Sequence, residues 1–163
     1  MAISCLPTFP LFIFGILEPA LLVYAYYVAM ADPYAFYAAQ TPTHNLGASS
    51  ITTFPPQAQI FTYQLVNVYL LLAGLALTCS FTRHASVAKL YLFFVALADY
   101  GHILSCYLVI PTNVLLDVSQ WNDMIWGSVG GSIFLNVVRL GTLLGLFGAV
   151  RDVKKVGAGK KGN

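Results

Sequence analysis

Four long apolar runs, each broken by only a few polar residues, divide this chain: about 11–30, 59–81, 88–110 and 125–150. Crossing a bilayer as a helix takes about 20 such residues, so the pattern predicts an all-α, polytopic membrane protein, a four-transmembrane-helix bundle. The punctuation fits. Asp32-Pro33 ends the first run, and residues 32 to about 58 form the longest connection, rich in Pro, Ser, Thr and Gly, with no strong element of its own expected. Its aromatic start, Tyr34, Phe36 and Tyr37, suits the headgroup layer, and its length leaves room for a lid over an intramembrane pocket. The short turn Thr82 to Ser86 predicts that spans two and three are antiparallel neighbours. Between Pro111 and about Met124 lies the third connection; Trp121 and Trp126 are expected as interface anchors. In the fourth run Gly127 and Gly131, and again Gly141 and Gly145, are spaced as G-x-x-x-G, which lets helix backbones approach closely. Residues 1–150 thus form one membrane domain and 151–163 a basic tail, expected to be disordered beyond Val156.

Composition sharpens this picture. The chain is 58% hydrophobic and 9% charged, against about 25% charged for a soluble domain. A bilayer is therefore its natural solvent. A secretory signal is the competing reading of the first run, because Ala29-Met30-Ala31 resembles a cleavage site. No Lys or Arg precedes that run, however, and Glu18-Pro19 interrupts it, so a retained span is expected. Charge placement sets topology. Arg83 and Lys89 flank the turn between spans two and three, and Arg151, Lys154, Lys155, Lys160 and Lys161 follow span four. The other two connections contain no Lys or Arg. The positive-inside rule then puts both termini in the cytoplasm; the endoplasmic reticulum is the expected membrane. Cys5, Cys79 and Cys106 show no metal-ligand spacing, and no disulfide, metal or cofactor is expected. There is no basic face for a nucleic acid.

The candidate chemistry lies inside the spans. Leu97-Ala98-Asp99-Tyr100-Gly101-His102 places an acid and an imidazole three residues apart, on one face of a helix near mid-depth. Glu18, Asn136 and Arg139 fall at similar depth in spans one and four, with Asn67 nearer the lumen in span two. A central Asp or Arg costs about 2.5–3.5 kcal/mol to insert, so Arg139 should pair with Asp99 or Glu18. The match of depths on consecutive antiparallel spans favours Asp99, within salt-bridge reach. The remaining acid would then keep its proton in low dielectric and act as a donor, with His102 as acceptor. Plainer readings stand beside these. Arg139 with one acid makes a structural ion pair; His102 is a hydrogen-bonded core residue; Asn67 and Asn136 tie helices together; and Glu18 accepts backbone donors freed by Pro19.

Five stretches carry a resemblance: Glu18-Pro19, Asn67-Val68-Tyr69-Leu70-Leu71, Leu97 to His102, Trp121 to Gly127, and Val138 to Gly145. With them the chain resembles a fungal four-span integral-membrane family across about Phe9 to Gly148. By architecture it is more distantly similar to the bundles of sterol isomerases, the sigma-2 receptor and fungal membrane terpene cyclases. Acids and a histidine inside an apolar bundle, without metal or phosphate motifs, together with those distant likenesses, point to a membrane-embedded isomerase or cyclase acting on a lipophilic substrate in terpenoid or meroterpenoid secondary metabolism. Glu18, Asp99, His102 and Arg139 would be catalytic; Asn67, Trp121, Asn122, Trp126 and Asn136 would bind substrate. The bilayer and other membrane enzymes are the expected partners. The alternative is a non-enzymatic lipid-binding or scaffolding protein; a transporter is a third reading, with four spans and no inverted repeat to support it.

Overall fold

The computed structural model describes residues 3–42 and 54–153, and among these it is helical without a strand. Residues 43–53, within the 32–58 connection expected to leave room for a lid, and residues 154–163 of the basic tail lie outside the described residues. Four helices are long and apolar enough to cross a membrane: α1, Thr8–Ala31; α3, Pro56–Ser80; α4, Ala85–Val109; and α6, Asp123–Leu143. A short helix, α2 (Pro33–Ala38), follows α1, and another, α5 (Thr112–Leu115), precedes α6.

The first connection departs from the expected loop, because Asp32 caps a helix: its Oδ1 accepts from Ala35 N–H at 2.9 Å, and Pro33 starts α2. Span one also starts earlier than expected. It contains a π-turn over Ile13–Leu17, just before Pro19. Proline removes a donor and so leaves a carbonyl one turn earlier without its helical partner; a π-turn there redistributes the ladder. What Pro19 frees is an acceptor, so Glu18 has no backbone donor to serve, and its carboxylate turns elsewhere.

The four spans associate as two antiparallel pairs. Span α1 lies along α3, and α4 lies along α6. Spans α3 and α4, joined by the turn, touch only lightly and part beyond it. The two pairs meet chiefly at the end that carries Arg83 and Arg151, where Ile13, Phe14, Ala88, Leu92 and Val138 form one buried cluster. Chain ends close that side. Cys5 N–H bonds Thr82 O at 3.0 Å, and Val153 N–H bonds Arg83 O at 3.1 Å. Burial pushes the Cys5 thiol up from its ordinary range. At the opposite end Ala29, Phe36, Val66 and Met124 pack together.

Span four, expected to run to Val150, leaves the helix at Leu143. Gly145 adopts φ +80°, Leu146 N–H bonds Gly141 O at 2.9 Å, and Gly145 N–H bonds Thr142 O at 3.1 Å. This is the Schellman arrangement, with glycine in the left-handed position. The second G-x-x-x-G is thus a helix stop. Its first glycine is covered by Phe147 from the same segment, whose ring an added Cβ would meet at 2.9 Å. Beyond Gly127 no described residue approaches within 4 Å, so the first G-x-x-x-G packs against no helix among the described residues either. Gly145→Ala should destabilise the fold by about 1 kcal/mol, read as a lower thermal midpoint in detergent; Gly127→Ala should not.

Candidate functional site

Arg139 is wholly buried, and its guanidinium ties together three spans. Nη1 donates to Asp99 Oδ2 on α4, and Nη2 donates to Glu18 Oε1 on α1. The pairing of Asp99 with Arg139 expected from depth is present. The second acid is not left apart, however: both carboxylates share the one cation. The reason lies in packing. Gly15 lets α1 approach the end of α3, where an added Cβ would stand 3.0 Å from Phe81 and 3.3 Å from the Ser80 Cβ. Three residues later Glu18 faces the junction of the two pairs.

The rest of the site supports this cluster. Asn136, on the same face of α6 one turn earlier, donates to Ala96 O at 2.8 Å and holds α6 against α4. The Phe14 ring lies 5.2 Å from Arg139 Cζ, a cation–π contact. Tyr91 on α4 lies close enough to feel both Glu18 and Arg139. Two buried polar atoms of the cluster, Glu18 Oε2 and Arg139 Nε, have no hydrogen-bond partner among the described residues.

Depth is kept despite the early end of α6. Asp99 lies fourteen residues beyond Ala85, and Val153 lies fourteen beyond Arg139. The last part of that second stretch is irregular chain, but it returns to the same level: Ala85 N–H bonds Asp152 Oδ1 at 2.6 Å. Irregular backbone at membrane depth occurs where protein covers it or where it lines a water-filled cavity.

Other expected site residues fall elsewhere. His102 is half-buried one turn beyond Asp99, near enough to feel its charge, and makes no ion pair among the described residues. Asn67 is exposed on the outer face of α3, away from Arg139. Trp121 and Trp126 pack on each other, with centroids 4.9 Å apart, and Trp121 Nε1–H bonds Leu115 O at 3.1 Å. Asn122 is a joint: Oδ1 caps α6 at Ile125 N–H, and Nδ2 donates to Ala39 O at 3.0 Å. A cleft of about 480 Å³ opens near the same end, lined by Phe36, Tyr37, Gln40, Phe61 and Thr62. Sequence reasoning passed over Phe14, Gly15 and Tyr91. Only their spacing from Glu18 and Asp99 carried a signal, and it does not tell which face they take.

Outside the spans Asp117 is exposed. Its carboxylate accepts from Gln120 Nε2 at 2.6 Å and from the Ser119 hydroxyl and N–H, and these bonds hold it below the usual carboxylate range. A lowered folded pKa gives stabilisation that is present above the ordinary Asp range and lost as pH falls through the folded value. Emission from Trp121 and Trp126 should therefore stay constant from neutral pH down through about pH 4 and change only below it; Asp117→Asn should remove that acid step.

A family model described as a domain of unknown function, DUF7704, matches residues 3–149. No curated protein and no solved structure matches the chain.

Proposed function

Because the chain belongs to the DUF7704 family, whose description assigns no activity, we propose from its own residues that it is a membrane-embedded acid–base protein acting on a lipophilic small molecule, in the manner of an isomerase or cyclase. The observation that carries this reading is two buried carboxylates on one guanidinium, with Glu18 Oε2 left without a partner among the described residues. With both acids ionised the cluster holds one negative charge too many for the bilayer interior. A proton on the acid pair balances it, and that proton is available to a substrate. Glu18 is the donor through Oε2, Arg139 the counter-charge, Asp99 the acid that shares the cation, and half-buried His102 the acceptor. The reaction adds a proton to one carbon of a double bond, or to an epoxide oxygen, and removes one from a neighbouring carbon. The chain between Leu144 and Val153 has left the helix, and it lies at the basic end. By the positive-inside rule that end faces the cytoplasm, in an endoplasmic-reticulum membrane serving terpenoid-type secondary metabolism.

Microsomes carrying the protein, given a panel of prenylated, terpenoid and sterol substrates, should convert one of them. Glu18→Gln should lower turnover by about 10²- to 10⁴-fold without lowering the protein level. Full turnover in Glu18→Gln would sink the reading.

A second reading rests on the complete burial of Arg139 and on the placing of the 480 Å³ cleft elsewhere. There the cluster is a lock, and the protein is a non-enzymatic lipid-binding or scaffolding component. It predicts that changes at Asp99 or Arg139 lower protein level, while His102→Gln leaves cell metabolites unchanged.

A further inference from the structure

We infer that the outer face of α3 is a self-association seam, on which two copies of this chain pair through Gln64 and Asn67. Span α3 buries Thr62, Val66, Ala73, Ala76 and Ser80 against the rest of the molecule. At about 100° per residue, the opposite face carries Ile60, Gln64, Asn67, Leu71, Gly74 and Thr78, all exposed. Their intervals alternate between four and three residues, the 3.5-residue repeat of a left-handed helix pair.

Two amides lie on that seam within the span, and neither has a hydrogen-bond partner among the described residues. Hydroxyls on the spans, on the seam and off it, behave differently. Thr78, Ser105 and Ser128 each donate to a carbonyl on their own helix, Gly74 O, His102 O and Ile125 O. Gln64 and Asn67 use no such internal acceptor. Asn67 sits near the middle of Pro56–Ser80, where lipid offers nothing to bond.

The occupant that answers this is a second copy. An amide carries both donor and acceptor and is therefore complementary to itself. Copies inserted with the same orientation run parallel, so a two-fold axis along the membrane normal brings each residue to its own counterpart at equal depth. Asn67 then faces Asn67 and Gln64 faces Gln64. The span contains no charged residue to repel its partner, and beyond Gly74 nothing lies within 4 Å, which leaves the backbones room to close. This inference is independent of any chemistry at Arg139, which lies on other spans.

The test is energy transfer between differently labelled full-length copies in phosphatidylcholine vesicles, diluted progressively with lipid. The wild type should associate, Asn67→Leu should weaken association about tenfold, Gln64→Leu with Asn67→Leu should abolish it, and Asn67→Gln should retain most of it. Thermal midpoints of the dissociated variants should match that of dissociated wild type, because both amides are exposed and make no hydrogen bond among the described residues. In a background with the three native cysteines changed to Ala, Leu71→Cys should cross-link between copies, while Leu77→Cys, well round the helix from the seam, should not. A wild type that stays monomeric at every dilution overturns the inference. So does undiminished association of the double variant, or equal cross-linking at both positions.

Discussion

Arg139→Met should be the most damaging single substitution in this protein, lowering stability by about 3–5 kcal/mol and with it the steady-state level in membranes. The guanidinium is the one cation paired with Glu18 and Asp99 among the described residues. Removing it leaves two carboxylates facing each other in a buried site, each stripped of its partner. Arg139→Lys should rescue little, because one ammonium does not reproduce a planar fork whose two nitrogens serve two acids on different helices. The informative variant is the triple change Arg139→Met, Glu18→Gln, Asp99→Asn. Replacing a buried ionic cluster as a whole is far less costly than breaking it, so the triple variant should recover most of the lost thermal midpoint. A triple variant no more stable than Arg139→Met alone would show that the cluster is not what holds the two helix pairs. The simple exchange, Asp99→Arg with Arg139→Asp, restores only one of the two ion pairs and sets the new Asp beside Glu18. Only partial recovery is expected from it.

Gly15→Leu should be the second-largest effect, destabilising by about 1–3 kcal/mol through overpacking. A Cβ at Gly15 would meet Phe81 at 3.0 Å, Leu11 at 3.2 Å and the Ser80 Cβ at 3.3 Å. The larger side chain forces α1 from the end of α3 and carries Glu18, one turn on, away from Arg139. Gly127→Leu is the control, since nothing lies within 4 Å of the position its Cβ would take. The comparison is made by thermal denaturation in one detergent; equal midpoints for the two variants would mean that α1 and α3 are not held by that contact.

These two residues show how unevenly the site could be seen in the sequence. Arg139 announced itself, because a charge inside an apolar run must be neutralised whatever the fold. Gly15 did not, because a single glycine in a membrane span carries no mark of what approaches it. The glycines that did look informative, the two G-x-x-x-G pairs, turned out otherwise: Gly145 stops a helix, and Gly127 faces open space. Asn67, expected among the substrate-binding residues, is exposed on α3 and is not part of the Arg139 cluster.

The sequence by itself determined the number of spans, the all-α bundle and the need for Asp99 to meet Arg139. The first two follow from a local quantity, the cost of placing a given side chain at a given depth, which sums along the chain; the third adds only the matched depths of two consecutive antiparallel spans. The tertiary structure alone decided that Glu18 joins the same guanidinium, that the spans associate as α1 with α3 and α4 with α6, that α6 ends at Leu143, and that Gln64 and Asn67 face outward. Those outcomes depend on how each helix is rotated about its own axis and which neighbour it packs against. Rotation is set by contacts between residues far apart in the chain, such as Gly15 with Phe81 and Asn136 with Ala96, and hydropathy along a single span is nearly blind to it.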